Sequence, residues 1–391
     1  MITRCDICSA RLVNVKKLKF RHIIGMAENY VQHIKMCPHC KLIVTGNPFS
    51  ERQLENRYKN LSKYEFDAGS YIFDVSEEYR KRCARQKHFI EENIACFSSI
   101  LEIGASSGYN LSLYEGKKTF GIEPSPFNCQ SAKKNYDVEM FCGVFQEYCR
   151  QQADSPKEAF DMVFLSHTLE HIVNPCRFIR QCVKVAAPEY FFIEVPTFDI
   201  KFINEPYGMF CEEHVNYFTL ESLENLMRAA GYHLIDAEIN IEAGSRTVAG
   251  FPSLSTLWGT RPNLPARRHV NPVEKLLKEY DRFSEKELRR IARIINRIDS
   301  RKLAVWGTGH HASMLLANTA LRKKNIVKFY DSDIRKHAFR IEGAPVQAFD
   351  PKDLQDGSID TVLIASYVAQ PQLYERLAPY KETCRIITLY E

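Results

Sequence analysis

The sequence predicts an α/β chain built in three parts: a cysteine-bearing N-terminal module, a central Rossmann-like domain, and a second Rossmann-like α/β domain at the C-terminus. Three observations carry that prediction. Short apolar runs alternate with amphipathic stretches from about residue 96 to 240, the rhythm of parallel strands joined by helices. A glycine-bearing turn, Leu101-Glu102-Ile103-Gly104-Ala105-Ser106-Ser107-Gly108, follows the first of these runs, and a second one, Gly307-Thr308-Gly309, follows Leu303-Ala304-Val305-Trp306. Two Cys-x-x-Cys pairs stand near the N-terminus. At 391 residues the chain exceeds one typical core, so several domains are expected.

The first part, residues 1–60, holds Cys5-Asp6-Ile7-Cys8 and Cys37-Pro38-His39-Cys40. Paired knuckles of this spacing supply four thiolates for a tetrahedral structural zinc, with Cys5, Cys8, Cys37 and Cys40 as ligands. A closed four-thiolate site has no position for water, so the metal serves folding and not catalysis. The other nine of the 13 cysteines are scattered, as small buried apolar residues are, and predict no disulfide framework.

Residues 61–245 are read as the central domain with a leading connector, because the tyrosine- and charge-rich stretch 51–95 looks helical. Strands are expected at 100–103, 119–122, 138–142, 161–165, 189–195 and 233–240. The turn after the first strand lets the backbone approach an adenosine-bearing cofactor, and Glu123, ending the run Thr119-Phe120-Gly121-Ile122, offers a carboxylate to ribose hydroxyls. Glu102 ahead of Gly104 and Gly108 favours S-adenosylmethionine (SAM) over a dinucleotide, so the central part is expected to be a class I SAM methyltransferase domain. Ser166 and His167, at the end of the fourth strand, are placed to touch the cofactor. His171 reads as a structural residue.

The pattern breaks near Ala243-Gly244-Ser245-Arg246 and through the proline-bearing stretch 252–272, so residues 246–299 are read as a linker and a long amphipathic helix. Val273, Leu276, Leu277, Tyr280, Phe283, Ile291, Ile294, Ile295 and Ile298 are read as falling on one face of that helix. Residues 300–391 form the last domain. Its turn has Ala312 at the third glycine position, and Val327-Lys328-Phe329-Tyr330 ends at Asp331, a pattern that serves either a nucleotide or a scaffold.

The formal net charge of +5 comes without a Lys/Arg block, which argues against nucleic acid as a partner. No apolar stretch reaches the ~18 residues of a membrane span, and the start of the sequence lacks a signal-peptide core, so a cytoplasmic protein without membrane contact is expected.

The densest chemistry follows the fifth strand, at Tyr207-Gly208-Met209-Phe210-Cys211-Glu212-Glu213-His214-Val215-Asn216-Tyr217-Phe218. Loops at the C-terminal ends of parallel strands are where open α/β sheets bind ligands, and an imidazole beside a carboxylate there is a candidate general base. The block Glu213-His214-Val215-Asn216-Tyr217-Phe218-Thr219 resembles the E-H-x-x-Y-[FY]-[ST] signature of the SAM-dependent sugar C-methyltransferases, enzymes that methylate C3 of nucleotide-linked 4-keto-6-deoxysugars. Glu102-Ile103-Gly104, Gly121-Ile122-Glu123-Pro124-Ser125 and Ile193-Glu194-Val195-Pro196 match as well, and the order zinc knuckles, SAM domain, Rossmann-like domain extends the resemblance over nearly the whole chain. Ala243-Gly244-Ser245-Arg246 departs from the family's G-G-S-x-R, and Tyr64-Glu65-Phe66 from its Tyr-x-Tyr.

The resemblance implies SAM as cofactor, a structural zinc, and a dTDP- or GDP-linked deoxysugar as substrate. His214 would remove the C3 proton made acidic by the C4 ketone, and Glu213 would orient the imidazole. Tyr217, Tyr71 or Tyr64 would hydrogen-bond the developing oxyanion. A sugar O-methyltransferase and a zinc-bearing RNA methyltransferase are the competing readings.

Overall fold

A computed structural model describes residues 1–60, 76–152, 159–200, 205–244, 248–262 and 272–390. Tyr64, Phe66, Tyr71, Ser245 and Arg246 lie outside the described residues.

The N-terminal module is an antiparallel sheet of β1 (Val13–Ile23), β2 (Ala27–Met36) and β3 (Ile43–Thr45), followed by helix α1 (Glu51–Asn60). Its fourth strand comes from far along the chain: β9 (Asn216–Tyr217) pairs with β3 through Ile43↔Tyr217 and Val44↔Asn216. The conspicuous block 212–218 is thereby built into the first module's sheet.

The central domain comprises α2 (Glu77–Asn93), β4 (Ser99–Ile103), α3 (Tyr109–Ser112), β5 (Lys118–Glu123), α4 (Pro126–Tyr136), β6 (Met140–Cys142), α5 (Phe145–Gln151), β7 (Met162–Ser166), α6 (Pro175–Ala186), β8 (Tyr190–Pro196), α7 (Leu220–Arg228), β10 (His233–Gly244) and β11 (Val248–Gly259). The strands order as β10-β11-β8-β7-β4-β5-β6 among the described residues, parallel from β8 to β6. The chain winds outward from β4 in both directions, so the switch point lies between β4 and β7, where such sheets bind ligands. Ser99–Ile103 and Phe191–Val195 are buried throughout, as in strands covered on both faces. α6 starts at Pro175, which lacks the N–H that a helix start leaves unbonded, and packs Phe178, Ile179 and Cys182 onto the sheet. Burying such a Phe or Ile contributes on the order of 1.5–3 kcal/mol each.

All six expected strands are present, five within two residues and β10 running four residues longer than expected, and the central domain's expected end at 245 is corrected. Residues 248–259, read from sequence as the beginning of a linker, form β11, antiparallel to β8 with Thr256 opposite Ile193. Two of its hydroxyl-bearing residues are satisfied in place, while the buried Ser253 hydroxyl has no partner among the described residues. Ser255 Oγ donates to Glu194 at 2.5 Å, and Thr256 Oγ1 donates to the Ile193 carbonyl at 2.9 Å.

Helix α8 (Val273–Asn296) covers the expected long helix and joins two cores. Val273, Leu277 and Tyr280 pack with Phe198, Tyr207 and Phe210, whereas Ile291 and Ile295 pack with Leu303 and Val305 of the last domain. That domain holds β12 (Leu303–Trp306), α9 (His310–Asn318), β13 (Ile326–Tyr330), β14 (Arg340–Ile341), β15 (Ala344–Gln347), α10 (Lys352–Gln355), β16 (Thr361–Ile364), α11 (Gln370–Leu377) and β17 (Arg385–Ile387). Its sheet order β14-β15-β13-β12-β16-β17 is again Rossmann-like, with β14 antiparallel. No described helix is long and apolar enough to cross a membrane.

Candidate functional site

The glycine turn after β4 is shaped by local geometry. Gly104 has φ +82°, and a Cβ there would run into the Thr168 hydroxyl, so only glycine fits. Thr168 Oγ1 in turn donates to the Ile103 carbonyl at 3.0 Å, tying the ends of β4 and β7 together. Glu123 closes the turn from the next strand. Its two carboxylate oxygens accept the Ser106 and Ser125 N–H groups, each at 2.9 Å. An ionised carboxylate can accept about four hydrogen bonds, so the geometry keeps acceptor capacity for ribose hydroxyls.

A cleft of about 390 Å³ opens at the switch point. Glu102, Gly104, Glu123, Ser166 and His167, five of the six expected cofactor residues, line it; Gly108 begins α3 just behind. Glu102 is 2% exposed and accepts from Asn110 Nδ2 at 3.1 Å. Burial pushes its carboxyl up to about 8. Ser166 Oγ accepts from Gln86 Nε2 at 2.9 Å.

His167 sits at φ +49°, a costly conformation for a residue with a Cβ. Its N–H donates to the Glu194 carbonyl at 2.8 Å, and its ring lies between two buried carboxylates, Glu170 at 3.5 Å and Glu194 at 3.4 Å. Burial and the Arg82 cation oppose its charge, but the hydrogen bonds to Glu170 and Glu194 override them and raise it to about 9. Glu194 is held at about 2 against its burial by His167, Arg85 and Ser255.

The cleft is also lined by Tyr58 of α1, by Tyr79 of α2, and by His171. His171, read from sequence as a structural residue, is a cleft residue. The Tyr58 hydroxyl lies 2.8 Å from its Nδ1, and the His214 ring packs edge-on against it with centroids 4.9 Å apart. No periodic cue in the sequence points to this pairing, since the 212–218 block and the turn Leu169–His171 meet only in the fold. Val215 N–H donates to the Glu170 carbonyl at 2.8 Å and Asn216 Nδ2 to the Ile172 carbonyl at 2.6 Å, which fastens them together.

Glu213 forms an ion pair with Arg57, whose Nε donates to it at 2.6 Å, and donor atoms of Glu170, His171 and His214 lie within 4.8 Å of one another. Tyr217 is 2% exposed, and its hydroxyl lies among Gln32, Thr45 and the carbonyls of Cys211 and His214. That tyrosine joins β9 to the first module and is not presented to a substrate. Tyr64 and Tyr71 lie outside the described residues.

The four cysteines of the first module converge, with Cys5 Sγ 3.2 Å from Cys40 Sγ and Cys8 Sγ 3.4 and 3.7 Å from those of Cys37 and Cys40. Four sulfurs at 2.3 Å from a tetrahedral zinc stand about 3.8 Å apart, so the set fits the ion with a small expansion.

In the last domain the glycine turn meets its neighbours. The Asp331 carboxylate takes the Thr308 hydroxyl and Lys336 Nζ (3.0 Å), and His310 Nδ1 reaches Glu212 of the central block at 2.6 Å.

Residues 75–237 match the family model described as a methyltransferase domain. No curated protein matches the chain. Similar solved structures include a SAM-dependent methyltransferase from Archaeoglobus fulgidus, 17% identical, covering 49% of this chain and all of its own, with a TM-score of 0.36. A Burkholderia thailandensis 1,6-didemethyltoxoflavin-N1-methyltransferase is 16% identical over 58% of this chain and 95% of its own, at 0.39. A possible histamine N-methyltransferase from Thermotoga maritima is 16% identical over 47% and 92%, at 0.36. Residues 75–237 of the central unit are a methyltransferase domain.

Proposed function

We propose that this methyltransferase transfers the SAM methyl group to C3 of a nucleotide-linked 4-keto-6-deoxysugar, with His214 as the base. The observation that carries the reading is the junction of two halves in one place. The cofactor turn, with Glu102, Gly104 and Glu123, opens into the same cleft as His171, against which His214 packs. The resemblance of residues 213–219 to the sugar C-methyltransferases supplies the substrate class.

A C4 ketone acidifies the C3 proton. His214 takes that proton, the electron pair passes into the enolate, and its C3 carbon attacks the SAM methyl as the sulfur leaves with the sulfonium's bonding pair. Positioning and proton removal are the tasks left to the protein, since the sulfonium already provides the leaving group. Tyr58 and Tyr79 line the cleft, with the Tyr58 hydroxyl held on His171, and Tyr64 or Tyr71 are the proposed donors to the developing oxyanion. Zinc, held by Cys5, Cys8, Cys37 and Cys40, anchors the module that supplies α1 and pairs with β9; it takes no part in the reaction.

The test is isotope exchange. Incubated in heavy water with a dTDP- or GDP-linked 4-keto-6-deoxysugar and S-adenosylhomocysteine, the enzyme exchanges the C3 hydrogen for deuterium without turnover. Methyl transfer to a sugar hydroxyl without C3 exchange would contradict C-methylation.

A further inference from the structure

Where the turn Leu169–His171 meets the 212–218 block, three metal-ligating side chains stand together beside the cleft. One oxygen or nitrogen atom from each of Glu170, His171 and His214 lies within 4.8 Å of the others. Glu170 is 2% exposed; its Oε1 is 3.5 Å from His167 Nδ1 and 3.9 Å from His171 Nε2, and its Oε2 has no hydrogen-bond partner among the described residues. Burying a carboxylate oxygen without a donor costs free energy that a bound cation recovers. The Val215 N–H on the Glu170 carbonyl holds the two segments in register.

His171 is turned as metal-binding histidines are. Its Nδ1 lies 3.3 Å from the Glu213 carbonyl, which can only accept, so the ring proton belongs on Nδ1 and the Nε2 lone pair faces Glu170. A metal-ligating histidine gives its other N–H to a carbonyl or carboxylate in the same way. A lone pair and a carboxylate oxygen 3.9 Å apart are too distant for a hydrogen bond. They suit an ion between them, because ligands about 2.1 Å from zinc stand up to about 4.2 Å apart, and a closure of about 0.6 Å brings the whole set within that reach. We propose that Glu170, His171 and His214 form a binding site for a divalent ion of the zinc type, with two imidazoles and one carboxylate as ligands.

The site is separate from the four thiolates of the first module. Cys211, Glu212 and His310 form another group of donors among the described residues, but the Arg57 guanidinium lies 3.9 Å from Glu212 there, and His310 Nδ1 already meets that carboxylate at 2.6 Å. A fixed cation and a short hydrogen bond on the same carboxylate oppose an ion at that place. A histidine ligated through one ring nitrogen carries its proton on the other and has no lone pair left for a substrate proton. On the reading of His214 as base, an ion here and proton removal exclude one another, so zinc-type ions inhibit methyl transfer and a chelator restores it.

The test is a metal titration of the full chain with no substrate or SAM present, so its outcome is independent of which reaction the protein runs and of whether His214 is the base. One equivalent of Zn²⁺ first fills the four cysteines, and Co²⁺ is then added as the spectroscopic probe. The wild type is expected to bind one further equivalent, with visible cobalt absorption and no thiolate charge-transfer band. Glu170→Gln and His171→Asn are each expected to weaken that equivalent by about 10-fold or more, since even outer contacts of a metal site are worth 10–100-fold. If Glu170→Gln fails to fold, His171→Asn reads the same site. The absence of a further equivalent in the wild type, or one that binds equally well in the folded variants, would overturn the proposal. So would a thiolate charge-transfer band on the added cobalt, which would place the ion at Cys211, Glu212 and His310.

Discussion

In the central unit, the strand-end acid Glu123 accepts two backbone N–H groups of its own turns and faces an open cleft. In the C-terminal unit, the equivalent Asp331 takes the Thr308 hydroxyl and the Lys336 ammonium, and the residue after the second glycine, His310, is spent on Glu212 of the neighbouring domain. Both units share strand, glycine turn, helix and strand-end acid. What separates them is the partner each turn reaches: a cleft in one case, a domain boundary in the other. The motif therefore marks a place where a ligand can sit, and the residues around it decide whether the place goes to a ligand or to packing.

The largest effect that would sharpen this contrast is chemical. His214→Asn should lower methyl transfer by about 10² or more, the scale of a removed general base, while SAM affinity stays near wild type. Methyl transfer at near wild-type rate in a radiolabelled-SAM assay would make His214 structural and promote His171.

A second contrast compares the glycines. Gly104→Ala combines φ +82° with a clash against Thr168 and should cost about 1–3 kcal/mol in denaturant unfolding, with loss of SAM binding. Gly309→Ala meets nothing within 4 Å and has no left-handed backbone, so it should stay within about 1 kcal/mol of wild type. Equal costs at the two sites would break the comparison.

The two units also carry buried groups with opposite pH signatures. Burial raises Glu102 from the usual 4.5 to about 8, so the native state holds a proton that the unfolded chain has released; this stability is present below about 4.5 and is lost as pH rises through about 8. Burial, with His310 beside it, lowers His311 from 6.5 to about 3, so the unfolded chain binds a proton that the native state refuses; stability falls as pH drops from about 6.5 towards 3. Hydrogen exchange resolved by peptide should find the central unit loosening on the alkaline side and the C-terminal unit on the acid side. Glu102→Gln and His311→Asn should each flatten their own limb, and a limb that persists in its variant would remove that assignment.

The smallest effect concerns the boundary itself. His310→Ala leaves the buried Glu212 without its closest partner and should cost about 1–3 kcal/mol of stability with SAM affinity unchanged.

Much of the fold is legible in the sequence because the central strands are buried on both faces and appear as unbroken apolar runs, such as Met162–Leu165. Strand β11 is not legible: Pro252, Ser253 and Ser255 look like a loop, and only the fold shows Glu194 taking the Ser255 hydroxyl and the Ile193 carbonyl taking that of Thr256. The cofactor half of the site was legible for a local reason, since Gly104, Glu102 and Glu123 act through their own turn. The catalytic half was not. Adjacency in sequence pairs Glu213 with His214, whereas only the fold shows that α1 also brings Arg57 to Glu213 and that the Val215 N–H on the Glu170 carbonyl brings a second carboxylate into the neighbourhood of the histidine. Tyr217 was misread for the same reason, because its strand joins the N-terminal sheet.

The most direct measurement is calorimetric titration of SAM, and separately of NADH, into wild type, Glu123→Ala and Asp331→Ala. The account predicts one SAM site and no tight NADH site in the wild type. Glu123→Ala should weaken SAM by about 10-fold or more, the worth of one or two charged hydrogen bonds at about 1.5–3 kcal/mol each, and Asp331→Ala should leave it unchanged. Tight NADH binding without SAM binding, or SAM binding lost with Asp331 and kept without Glu123, would contradict it.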